Sequence, residues 1–210
     1  MSQGNPAKRK IVIGVTGASG SPYAHRLLDW LATHSHDVEP HVVFSRYGRL
    51  VWNDEVGIDP ETFGFPIYAS GDMTAPFASG SAGFEAMVVV PCSAGSLGRI
   101  AHGLSADLIG RAADVMLKEQ RRLLLVVRET PYSLVMLRNM VAVAEAGAMV
   151  MPASPSFYSA PADIPQLLDT VVARILDRIG VDNKAMRRWD GTMQGHLAPD
   201  DAPDRNRGDA

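Results

Sequence analysis

The chain has 210 residues, 46% hydrophobic and 20% charged, with a formal net charge of -3. That balance is too apolar for a disordered chain, allows one sizeable core and gives no global attraction to nucleic acid or anionic membrane. The single cysteine, Cys92, excludes an internal disulfide and fits a reducing, cytoplasmic compartment.

A basic stretch, Lys8–Lys10, precedes KIVIGVTG (10–17), a short β-branched run broken by Gly14 and Gly17. This predicts a strand, not a signal peptide or a membrane span. SGSPYAHRLLDWLATH follows as a helix, with Ser19 or Ser21 as its cap, Pro22 in its first turn and Leu27, Leu28 and Leu31 as its stripe. VEPHVVFS (38–45) predicts a second strand and RYGRLVWND (46–54) a second helix. Glycine and proline recur through 57–84, which predicts loop. AMVVVPC (86–92) predicts a third strand, SAGS a small-residue turn into a short helix, and 107–121 a further helix. LLLVVRE (123–129) predicts a fourth strand, 133–147 a helix ended by Gly147, and AMVMP (148–152) a fifth strand. Pro152, Pro155, Pro161 and Pro165 impose an extended loop before the last helix, 164–180. The composition of 190–210 predicts a mobile tail. The chain therefore divides into an N-terminal extension (1–9), one domain (10–189) and that tail.

Apolar strands alternating with helices predict an α/β fold, a doubly wound parallel sheet in three layers, α/β/α. In such sheets ligands bind beyond the carboxyl ends of the strands. Four turns should meet there: Gly17–Gly20, Ser45, Cys92–Ser96, and Arg128 with Glu129. GVTGASGS has G-x-x-G-x-x-G spacing, which suits either a phosphate at a helix N-terminus or an ordinary glycine turn. Ser93 and Ser96 fit a flat ligand approaching the backbone or a plain helix cap. Arg111 and Lys118 lie two helical turns apart, on a solvated face or facing an anion. The six histidines are scattered, no metal-ligand spacing occurs, and Cys92 has no base beside it. The rim so described suits two phosphorylated ligands, one of them flat.

The ordered motifs GVTGASG, FASGS, VVPCS, LIGRAADVMLKE, LLLVVRETP, GAMVMPASPSFY and VVARILD, over about residues 10–189, resemble the UbiX-type flavin prenyltransferases. The resemblance implies a flavodoxin-like fold and FMN, in reduced form, as prenyl acceptor. It implies dimethylallyl monophosphate as donor, no metal, and prenylated FMN passed to a UbiD-type decarboxylase. A dodecamer with sites at subunit interfaces is implied too. Gly17, Ala18, Ser19, Ser45, Ser93, Ala94, Gly95, Ser96 and Arg128 would bind FMN. Arg111, Lys118, Arg128, Tyr158 and Arg174 would hold the prenyl phosphate, with Ser79 and Ser81 near the reacting region. Glu55 and Glu129 match acidic positions for proton handling, and Ser19, Lys118 and Tyr158 join them as catalytic candidates.

Met73 stands where some members carry an aromatic residue, and Ala94 and Gly95 replace bulkier ones. A related FMN-dependent cysteine-type decarboxylase is disfavoured, because its loop differs from FASGS and no histidine follows Ser45 before residue 102. A non-catalytic flavin-binding subunit of a decarboxylase complex is disfavoured by the full set of phosphate-binding residues. A nicotinamide dehydrogenase is disfavoured by the missing G-x-G-x-x-G.

Overall fold

The structure is a computed structural model that describes residues 8–189. The expected tail, 190–210, and all of the N-terminal extension up to residue 7 lie outside the described residues. Six strands form one parallel sheet: β1 (Arg9–Val15), β2 (Val38–Phe44), β3 (Ile67–Tyr68), β4 (Ala86–Cys92), β5 (Arg122–Val127) and β6 (Met149–Pro152). Their order in the sheet is β3-β2-β1-β4-β5-β6. The five strands legible in the sequence take the flavodoxin-like order among themselves. The two-residue β3, inside the expected loop, adds an edge.

Strand periodicity divides the core. Ile11, Ile13, Val15, Val88, Val90, Leu124 and Val126 pack with α1 (Ser21–His34) and α6 (Ile164–Ile179). Val12, Met87, Val89, Leu123, Leu125 and Val127 face α3 (Ala94–Ala101), α4 (Leu108–Lys118) and α5 (Leu134–Glu145). Trp52, on α2 (Arg46–Glu55), joins the first face. Each fully buried aliphatic side chain contributes about 1.5–3 kcal/mol, so both layers are held firmly to the strands that end at the rim.

Two boundaries differ from the expectation in ways that matter. Neither Ser19 nor Ser21 caps α1: its N-cap is Gly20, at φ 117, a left-handed conformation that favours glycine. The strand read as 123–129 stops at Val127, so Arg128 and Glu129 belong to the turn beyond β5. At the amino ends of the strands, opposite the rim, Arg9 donates to the Ile179 and Gly180 carbonyls, each at 2.8 Å, and Arg122 to Ile179 at 3.2 Å. These cations satisfy the carboxyl end of α6 and fix its axis against the sheet.

Candidate active site

The chain runs outward from β1 to β2 and β3, then returns to β4 on the other side of β1. The crevice between the β1 and β4 turns is therefore the switch point of the sheet, where doubly wound folds bind ligands. Thr16, fully buried, ties the two turns together. Its hydroxyl donates to the Pro91 carbonyl at 2.6 Å and accepts from the Ser93 N–H at 2.8 Å. Sequence reading missed Thr16; its only signal was its position within GVTG.

Gly17 is required by close approach, since a Cβ there would lie 2.5 Å from Tyr47 Cβ. Ser45 caps α2 by accepting from Gly48 N at 2.9 Å, and Ser93 caps α3 by accepting from Ser96 N at 3.3 Å. Ser96 also receives Arg99 Nη2 at 3.1 Å. Glu55, on the last turn of α2, reaches back to α1, where one carboxylate oxygen accepts from the N–H groups of Gly20 and Ser21, both at 2.8 Å. Burial pushes the Glu55 carboxyl up, but hydrogen bonds from Ser19, Gly20 and Ser21 and the Arg128 charge outweigh it and hold it below the ordinary carboxylate range. Arg128 Nε donates to the Ser19 carbonyl at 2.7 Å, and its terminal nitrogens have no hydrogen-bond partner among the described residues.

This alters the expected use of the glycine turn. Two N–H groups at the α1 terminus hold a carboxylate, so a phosphate there would have to displace Glu55. The α3 terminus is different: Ala94 and Gly95 supply first-turn N–H groups with no intrahelical acceptor. The Ser21 hydroxyl is buried with no partner among the described residues. Small residues at both turns, and N–H groups and arginine nitrogens that have no partner among the described residues, fit a flat ligand carrying a phosphate.

The remaining candidates fall into two further groups. Glu129 and Arg128 line a cleft of about 300 Å³ with Tyr132, Ala153 and Ser154. Ser154 also lines the neighbouring cleft, about 600 Å³, along the outer edge of β6. Tyr158 and Arg174 lie there, with Met149, Met151, Met186 and Trp189 forming apolar walls. Met186 and Trp189 carried no sequence signal, because only packing against the β6 edge brings them in. Lys118, Arg111, Ser79 and Ser81 stand apart. Arg111 Nε donates to the Ala78 carbonyl at 3.0 Å, Lys118 pairs with Glu119, and the hydroxyls of Ser79 and Ser81 are 3.0 Å apart. Lys118 precedes β5 while Arg128 follows it, and six strand residues separate the sheet edges by about 20 Å. One chain thus joins the rim to the β6 cleft and leaves the Lys118 group outside.

Cys92 is fully buried and its thiol is pushed up to about 12 by burial, so it is no nucleophile. His34 and His36 are exposed. Among the described residues no three His, Cys, Asp or Glu side chains stand together as a metal site, and no helix is long and apolar enough to cross a membrane.

A family model described as Flavoprotein matches residues 1–176. A flavin prenyltransferase UbiX of Deinococcus radiodurans is 44% identical over 192 residues, covering 90% of this chain and 97% of that protein. The chain belongs to the flavoprotein family, in its UbiX-type flavin prenyltransferase branch. Among solved structures, AnUbiX (PadA1) in complex with FMN and dimethylallyl pyrophosphate superposes with a TM-score of 0.84 at 40% identity, covering 88% of this chain and 99% of that one. A dodecameric FMN-dependent UbiX-like decarboxylase from Escherichia coli O157:H7 gives 0.83 at 37% identity, with 87% and 100% covered. The UbiX-type fold is therefore the one described above.

Proposed function

We propose that this chain is a metal-independent flavin prenyltransferase that joins the dimethylallyl group of dimethylallyl monophosphate to N5 and C6 of reduced FMN. The observation that carries the reading is the rim itself. Among the described residues Arg128 has terminal nitrogens without a partner, between the glycine turn and a cleft that is apolar on its walls and cationic at Arg174. The neighbour that holds both FMN and an allylic pyrophosphate supports it.

FMN supplies the nucleophilic N5 and C6 and a π face for developing allylic cation character. The chain supplies the rest. Breaking the allylic C–O bond sends the electron pair to the departing phosphate, which Arg174, the Tyr158 hydroxyl and Arg128 stabilise. Lys118 and Arg111 join them from a second copy of the chain, with Ser79 and Ser81, and the dodecameric relative supports such an assembly. Alkylation releases the N5 proton; ring closure then adds one proton to the dimethylallyl alkene as C6 loses another, and the freed phosphate or Glu129 relays these protons. Glu55, held ionised on the α1 terminus, orients the Ser19 turn and Arg128. Ser45, Ser93, Ala94, Gly95 and Ser96 frame the flavin. The product would pass to a UbiD-type decarboxylase, and the reaction fits the cytoplasm.

The test is incubation with reduced FMN and dimethylallyl monophosphate in the presence of a chelator, read by mass spectrometry of the flavin. Prenylated FMN is the expected product, with the pyrophosphate as a parallel arm for donor preference. No adduct, together with decarboxylation of a cysteinyl peptide, would favour the decarboxylase alternative; no adduct and no decarboxylation, with FMN bound, would favour the carrier.

A further inference from the structure

The β6 cleft has a wall made by the segment that follows α6. Residues 181–189 turn back along that helix, placing Met186 and Trp189 over Tyr158 and Arg174. Val181 is buried in the core and Ala185 packs against it, and polar contacts hold the rest of the segment there. The Tyr158 hydroxyl donates to the Arg187 carbonyl at 3.2 Å, and its ring meets Trp189 edge-on at 6.2 Å. Arg188 grips the Asp177 carboxylate with both terminal nitrogens, each at 2.6 Å, in a fork geometry. Asn183 adds a bond to Asp177 at 3.0 Å and another to the Ala173 carbonyl at 3.3 Å.

Asp177 also lies one helical turn from Arg174, whose Nη1 is 3.5 Å from the oxygen that Arg188 holds. The carboxylate therefore chooses between two arginines. While Arg188 occupies it at short range, Arg174 is only loosely held and keeps charge for an anion. Without Arg188 the same carboxylate would draw Arg174 onto itself.

We infer that Asp177 and Arg188 are positioning residues of the β6 cleft, closing residues 181–189 over it and leaving Arg174 available to a phosphate. The ligand in this inference rests on the proposed function. The pair touches neither reacting atom; it acts through Arg174, Tyr158 and Trp189. Arg188 is half exposed, so added salt should weaken the clasp.

The test measures dimethylallyl monophosphate binding by calorimetry to the full-length protein loaded with FMN. Trp189 emission, isolated by subtraction of Trp189→Phe, reports the clasp. Arg188→Ala should weaken binding about ten-fold and red-shift Trp189, Arg188→Lys should recover part of both, and FMN affinity should stay within about two-fold. Asp177→Asn with Arg188→Ala should bind more tightly than Arg188→Ala alone, because no carboxylate remains to capture Arg174. A clasp with only a structural role would not produce that recovery. Unchanged binding in Arg188→Ala, or a double variant no tighter than the single, overturns the inference alone. Wild-type protein that binds FMN but no prenyl phosphate overturns it together with the proposed function.

Discussion

At the carboxyl rim Arg128 gives one nitrogen to the Ser19 carbonyl and leaves its terminal nitrogens without a partner among the described residues, whereas on α4 Arg111, in the first turn, is closed on the Ala78 carbonyl and Lys118, at the far end, on Glu119. The rim is fixed from several directions by Thr16, Glu55 and the caps of α2 and α3. The Lys118 end is held by a solvent-exposed pair that water screens. Charges of one sign and similar sequence context thus differ in how cheaply they can change partner. Arg128 is preorganised. Under the proposed function, Lys118 would exchange Glu119 for a phosphate presented by another copy.

The largest effect should come from breaking the organised side. Arg128→Ala should lower prenyl-FMN formation by about 10²–10³-fold, the range for losing one preorganised charge donor. Steady-state product analysis checks this, and unchanged turnover would remove Arg128 from the site. Lys118→Ala should cost less, with the loss mainly in KM for the prenyl phosphate.

Next is the close contact under the rim. Gly17→Ala forces a Cβ against Tyr47, and overpacking of this kind costs about 1–3 kcal/mol. Thermal unfolding should show a lowered Tm, and removing the Tyr47 side chain beyond Cβ should not restore it, because the clash is with Cβ itself.

Glu55→Gln should destabilise by about 1 kcal/mol near neutral pH, the scale of a charge at a helix N-terminus. The sign follows from the lowered carboxyl. A folded-state value below the unfolded one stabilises above the unfolded value, about 4, and the benefit disappears as pH falls through the folded value. The gap between wild type and variant in denaturation midpoint should therefore be full at neutral pH and close in acid. A gap that widens in acid would contradict the Glu55 assignment. The smallest effect is at Cys92, which should resist alkylation at mildly alkaline pH until the protein unfolds, as expected for a buried thiol pushed up to about 12.

How much of this was legible in the sequence follows from what each feature depends on. Apolar runs such as Ile11–Val15 and Leu123–Val127 announce strands because both faces are buried, and Ser45, Ser93, Asp107 and Ser133 announce helix starts because their side chains cap locally. The two-residue β3 carries too little pattern to stand out between glycines and prolines. The α1 terminus was misread because the carboxylate that satisfies its N–H groups, on Glu55, comes from 35 residues away. Trp189 and the Asp177–Arg188 pair depend on chain reversal after α6, which local pattern does not encode. The motifs named the candidate residues, but their division between the rim and the Lys118 end appears only in three dimensions.

The measurement that tests the account most directly is subunit mixing. Arg128→Ala and Lys118→Ala proteins, each impaired alone, are dissociated, mixed and reassembled, and prenyl-FMN is quantified by mass spectrometry. If one copy supplies the rim and another the Lys118 group, some interfaces in the hybrid carry both wild-type residues, and activity should rise well above that of either parent. Hybrid assemblies that form intact yet show no gain over the parents would contradict the account.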